Sequence, residues 1–183
     1  MTKFQKFKKS YFLYSFKRDK VAIASFIVLV ILIILALTAP WIAPMNPYDA
    51  HNIDIMDSEI PPMWSDQGES RFILGTDNMG RDMLSTMLYG LRTSILIAVG
   101  AVFLQATIGI LVGLTAGYIG GKTDAILMRI ADIQFSFPYL MLAIFISAIF
   151  QAIYGIGSYE RLAVPLLIVI IGLAEWPMYA RTI

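Results

Sequence analysis

Residues 21–44, VAIASFIVLVILIILALTAPWIAP, contain no charged side chain. A helix crossing a hydrocarbon layer needs about 20 mostly apolar residues. Inside that layer every backbone polar group must find its partner within the protein, which leaves a helix as the way for one such segment to cross. The run exceeds the roughly 7 to 15 residues of a signal-peptide core, and TAPWIAP is only faintly like a cleavage site, so an uncleaved spanning helix is expected. Trp41 falls where an interfacial aromatic belongs. Composition extends this reading to the whole chain: 15% of residues are charged, 58% are hydrophobic and the mean hydropathy is +0.71, against about 25% charged in a soluble domain.

Charge sets the expected orientation. Before residue 21 stand Lys3, Lys6, Lys8, Lys9, Lys17, Arg18 and Lys20 against Asp19 alone. Between residues 44 and 90 the acids Asp49, Asp54, Asp57, Glu59, Asp66, Glu69, Asp77 and Asp82 outnumber Arg71 and Arg81. The positive-inside rule then places residues 1–20 in the cytoplasm as a basic segment, 21–44 in the membrane and 45–92 outside. The turn-rich PMNPYD and PPM make the external segment an ordered loop. Near its end Met79, Met83 and Met87 recur every four residues beside Leu84, Leu88 and Leu91, which predicts a short amphipathic helix at the outer membrane face, with Thr76 or Asp77 capping its start.

Residues 93–183 are expected to hold three more spans: 93–118, 126–154 and 162–183. The fold class is therefore all-α, a polytopic transmembrane helical bundle of four spans with the N-terminus cytoplasmic. Gly109, Gly113 and Gly117 strip side chains from one face of the second span, where another helix can approach closely. Ionisable groups within spans cost about 2.5 to 3.5 kcal/mol each and mark functional candidates. Arg129 and Asp132, three apart, are placed to pair with each other near the membrane boundary. Glu175, six residues before Arg181, does not share its helical face; it lines a pathway or subunit contact, or is a protonated structural carboxyl. In FSFP, Phe135 and Phe137 precede Pro138, which removes a backbone hydrogen bond; the rings line a cavity or simply pack.

Enzyme chemistry finds no support. There is no cysteine and one histidine, His51, in a solvated loop. Neither a zinc-binding His pair, a G-x-S-x-G nor a P-loop lysine is present. No metal site and no nucleic-acid partner are expected.

LGTDNMGRDMLSTMLYGLRTSI, followed by GLTAGYIGGKTDAILMRIADIQFSFP, resembles the permease subunits of bacterial ABC importers for dipeptides, oligopeptides and nickel. FKRDKVAIASF, PPMW and GLAEWPMYAR resemble the same subunit in the same order. The resemblance implies that Gly75, Thr76, Asp77, Gly80, Arg81 and Asp82 form a structural clasp at an external gate, with direct substrate contact as the alternative; the glycines allow tight backbone geometry while Asp77, Arg81 and Asp82 satisfy one another and cap the Met-striped helix. It implies a cytoplasmic-side motif of Gly120, Gly121, Asp124, Arg129 and Asp132. It further implies an inner-membrane subunit that provides half of a peptide pathway beside a second, paralogous permease. An external solute-binding protein delivers the peptide, and two cytoplasmic ATPases bind ATP and Mg, with no cofactor held by this chain. The family has about six spans and a Glu-Ala-Ala docking loop, and residue 183 falls where that loop is expected, so a truncated permease sequence is expected. The rival reading is a non-transporting membrane assembly protein, or a relic, that uses the glycine face to bind a partner.

Overall fold

The computed structural model of the protein describes residues 11–136 and 138–183. Lys3, Lys6, Lys8, Lys9 and Phe137 lie outside the described residues. The expected all-α bundle is what the structure shows. Helices α1 (Tyr11–Arg18), α2 (Lys20–Ile42), α3 (Met83–Ile119), α4 (Gly121–Phe135), α5 (Tyr139–Tyr154) and α6 (Ile156–Ala180) are joined by short connections and by one long segment, 43–82. Among the described residues the only β-type pairing is a single bridge between Thr76 and Asp82. The chain divides into two compact units at Arg92 and Thr93, within α3.

In the first unit, Asp19 separates α1 from α2: its Oδ1 accepts hydrogen bonds from the N–H groups of Val21 at 2.9 Å and Ala22 at 3.2 Å, which satisfies donors that the first turn of a helix leaves unpaired. Helix α1 folds back on α2, with the Phe16 and Phe26 rings edge to face at 5.7 Å. The 23 residues of α2 reach about 34 Å, enough to cross a hydrocarbon layer. Its side chains from Phe26 to Leu29 and at Ile31, Ile34 and Leu37 are exposed, which suits lipid, whereas Ala36 and Ala39 are buried.

The short amphipathic helix expected at the membrane face is not separate from the second span. Met83–Ile119 is one helix of 37 residues, about 55 Å long at 1.5 Å per residue. No proline interrupts it, and Gly90, the one glycine between residues 83 and 99, costs less than the ladder it would break, so the polar-flanked turns and the apolar span propagate as one helix. Such a length exceeds the hydrocarbon thickness and leaves turns projecting beyond it. Met83 and Met87 lie on its exposed side while Ser85 and Leu88 are buried; Met79, also exposed, precedes the helix, so the expected stripe is only partly helical.

In the second unit, α3 ends at a turn made by Gly120 (φ 66°) and Gly121 (φ 56°), left-handed conformations that favour glycine. The third expected span is broken. Helices α4 and α5 meet at 80°, because Pro138 has no N–H to continue the ladder and its ring crowds the carbonyl four residues back. Gly155 (φ 77°) then separates α5 from α6.

Glycines decide how α3 and α6 pack. A Cβ on Gly100 would meet Ile168, one on Gly172 would meet Leu104, one on Gly109 would lie 2.4 Å from Tyr179 Cβ and 2.6 Å from the Trp176 carbonyl, and one on Gly113 would lie 2.7 Å from the Ala180 carbonyl. Each contact joins residues about 68 apart, so the register advances in step and the two helices run parallel. Among the described residues three helices are long and apolar enough to span, which makes up to four spans if the bent α4–α5 pair is one. Parallel spans α3 and α6 need a return crossing between them, which makes the bent pair the fourth span. Gly117 meets nothing within 4 Å, so two of the three glycines read as one face make this contact. Ala131, Trp176 and Ala180 form the buried centre, with Ile108, Val112 and Met128 packed around it.

Candidate functional site

In the first unit the motif at 74–82 closes a folded segment. Gly75 (φ 80°) and Gly80 (φ 76°) press against other backbone: a Cβ would stand 2.4 Å from the Ile60 carbonyl at Gly75 and 1.9 Å from the Asp54 carbonyl at Gly80. Stretches 59–63 and 73–77 run antiparallel, with N–H groups of Glu59, Thr76 and Met63 donating to carbonyls of Asp77, Ile60 and Ile73 at 3.1, 2.9 and 3.3 Å. Thr76 is a brace within this layer and not a helix cap: its hydroxyl donates to the Asp57 carbonyl at 2.5 Å and accepts from the Ile60 N–H at 2.9 Å.

Asp77 and Arg81 staple the turn. Asp77 Oδ1 accepts from the N–H groups of Met79 and Arg81, each at 2.9 Å, and Oδ2 meets Arg81 Nε at 2.8 Å and a terminal guanidinium nitrogen at 2.7 Å. Burial alone raises the Asp77 carboxyl, but the Arg81 guanidinium and the N–H groups of Arg81 and Met79 outweigh it and hold the group below its ordinary 3.8. Asp82 takes no part in this pair, so of the two expected roles, mutual satisfaction and capping, it fills only the second. It is 1% exposed and caps α3, its Oδ2 accepting from the Ser85 N–H at 2.7 Å and hydroxyl at 2.5 Å. Ser85 Oγ in turn accepts from the Met45 N–H at 3.2 Å. The start of α3 is thereby tied to the chain just beyond α2. His51 is a solvated loop residue beside Asp49, and among the described residues no group of His, Asp and Glu is arranged to hold a metal ion.

In the second unit the C-terminal turns of α4 and α6 bring polar groups together. Asp132 pairs with Arg181 and not with Arg129, which is exposed; the Arg181 guanidinium also lies 4.8 Å from the centre of the Phe135 ring. Arg181 stands just past the end of α6, so it reaches back toward α4, whereas the Arg129 side chain is exposed. Gly120 and Gly121 make the preceding turn, and Lys122 and Asp124 on its far side are exposed. Half-buried Glu175 lines a cavity of about 180 Å³ with Gln134, Phe135, Pro138, Tyr139 and Leu142. The structure thus brings Glu175 to Phe135 and Pro138, about 40 residues earlier in the sequence.

Gln134 was invisible to sequence reasoning. Its Nε2 donates to the carbonyl of Leu173 and lies 3.2 Å from that of Ala174, and its Oε1 accepts from Trp176 Nε1 at 3.0 Å. A signal did exist: Pro177 sits inside α6 without an N–H, which leaves the carbonyl four residues earlier, Leu173, without its helical donor. Periodicity does not say which side chain fills that gap.

Spanning helices, a proline-broken span and glycine-mediated helix packing define a polytopic helical membrane protein. Residues 10–62 match the family model described as the N-terminal TM domain of oligopeptide transport permease C. Residues 109–183 match the one described as binding-protein-dependent transport system inner membrane component. The chain belongs to this family of transport-system permeases. It is 38% identical over 135 residues to the di/tripeptide transport system permease protein DppC of Pseudomonas aeruginosa, covering 74% of this chain and 44% of that protein. It is 34% identical over 161 residues to the dipeptide transport system permease protein DppC of Haemophilus influenzae, covering 82% and 54%. To that of Escherichia coli it is 41% identical over 144 residues, covering 79% and 47%. The chain spans about half the length of these relatives.

Proposed function

We propose that the chain provides part of the membrane pathway of an ATP-driven ABC importer that takes up dipeptides or oligopeptides. The observation that carries the reading is the match of both ends of the chain to permease models, together with relatives named as dipeptide permeases. In this reading the basic N-terminal segment is cytoplasmic, the acid-rich segment 43–82 faces outward toward a solute-binding protein, and the turn at Gly120 and Gly121 faces two ATPase subunits. Those ATPases, and not this chain, hold ATP and Mg. A second, paralogous permease completes the pathway in the bacterial cell membrane. The Asp77–Arg81 staple and the Asp82 cap keep the outer segment in one shape, and Glu175, Phe135 and Pro138 line part of the passage.

Reconstitution tests this directly. The full subunit, its neighbouring permease, the two ATPases and the binding protein are assembled in liposomes, and accumulation of labelled dipeptide is followed with and without ATP. ATP-dependent accumulation is expected. Assembly of the complex with ATP turnover but no movement of any di- or oligopeptide would refute the substrate class.

A further inference from the structure

Pro177 removes one hydrogen bond from α6, and the amide of Gln134 replaces it from another helix. Both ends of that amide are engaged, the nitrogen with the carbonyls of Leu173 and Ala174 and the oxygen with the Trp176 indole. Glu175 lies between these anchored residues, on the wall of the cavity that Gln134 also lines. Beneath the amide Ala131 and Ala180 are buried at 0% and 3% exposure, and Arg181 pairs with Asp132 beside them. A proline ordinarily gives a helix a place to bend, because the freed carbonyl no longer restrains the axis. Here the freed carbonyl is restrained by α4.

We propose that Gln134 is a positioning residue for transport: its amide clamps the proline break of α6 to α4, so that motion arriving at α4 moves the Glu175 wall of the cavity with it. In this arrangement α6 does not flex on its own at Pro177. The clamp rests on the import reading above, but its chemistry does not, and two readouts separate them.

The test is a double-mutant cycle in the full subunit within the assembled importer. Gln134→Leu removes donor and acceptor at similar volume. Pro177→Ala restores an N–H for the Leu173 carbonyl, so that Gln134 is no longer needed there. Gln134→Leu is expected to lower peptide moved per ATP hydrolysed about fivefold or more while ATP turnover falls less than twofold, and Pro177→Ala in the same chain is expected to recover at least half of that loss. The unfolding midpoint of the purified complex in detergent should show the same non-additivity without any need for transport. If Gln134→Leu does not assemble, Gln134→Met carries the test, since its thioether keeps the side chain's length and offers the Leu173 carbonyl no donor. Wild-type coupling in the Gln134 variants, or a double variant no better than the single one in both readouts, overturns the clamp. A wild-type complex that moves no peptide, with the melting cycle still non-additive, refutes the import reading and leaves the clamp standing.

Discussion

Gly109→Ala and Gly117→Ala make the same chemical change on one helix, eight residues apart, and the structure assigns them opposite effects. At Gly109 the added methyl would stand 2.4 Å from Tyr179 Cβ and 2.6 Å from the Trp176 carbonyl. Carbon atoms rest about 3.5–4.0 Å apart, so α3 and α6 must separate by about 1 Å along a contact that also includes Gly113 and Ala180. Backbone on the receiving side cannot rotate away, and overpacking of this kind costs about 1–3 kcal/mol. At Gly117 nothing lies within 4 Å, and alanine removes the backbone-entropy penalty of a helical glycine, a gain of about 0.5–1 kcal/mol. The difference of about 1.5–4 kcal/mol corresponds, at about 2 °C per kcal/mol for a subunit longer than this chain, to midpoints at least about 3 °C apart. Thermal unfolding of the isolated full-length subunit in one detergent reads both variants. Shifts of equal sign and size, or a larger loss at Gly117 than at Gly109, would refute the α3–α6 register and with it the parallel arrangement of the two spans.

Three further outcomes follow from the 43–82 segment and the end of α6. Gly80→Ala places a methyl 1.9 Å from the Asp54 carbonyl at a φ of 76° and should cost about 1–2 kcal/mol in backbone conformation alone; amide exchange across 54–62 should rise, and unchanged exchange would contradict the packing. Because the folded-state carboxyl of Asp77 lies below its ordinary 3.8, its contribution is fully present above that pH and is lost as pH falls through the lower folded value. Exchange at 76–82 should therefore rise on acidification below about pH 3.8, and Asp77→Asn, lacking the charge at every pH, should flatten that dependence. Arg181→Ala removes an ion pair whose side chains are 44% and 55% exposed, and such pairs contribute about 0–1 kcal/mol; the unfolding midpoint should barely move, and a drop as large as that of Gly109→Ala would show that Arg181 holds more than Asp132 and the Phe135 ring.

The helices were legible because the membrane imposes constraints that act along the chain: a span needs length and a lack of charge, and close packing in lipid needs small residues at helical spacing. The Asp77–Arg81 pair was legible for the same reason, being local. What stayed hidden depends on chain segments that meet in space. Asp132 has a cation three residues away in sequence, yet it pairs with Arg181, which lies 49 residues on, because the end of α6 comes to α4 while the Arg129 side chain stays exposed. Asp82 was legible as a cap of the Met-striped helix but not as a buried one: it meets Ser85 and not Arg81, and the Met45 N–H that Ser85 accepts comes from 40 residues away. The proline at 177 announced an unpaired carbonyl but not its donor, because any of several helices could have supplied one. Even the number of crossings was decided at a distance. Composition leaves the bent α4–α5 pair open to either reading, a broken span or a re-entrant loop. Once glycines on α3 and α6 bring residues about 68 positions apart into contact in constant step, the two helices must cross in the same direction, and the chain between them has to return through the membrane.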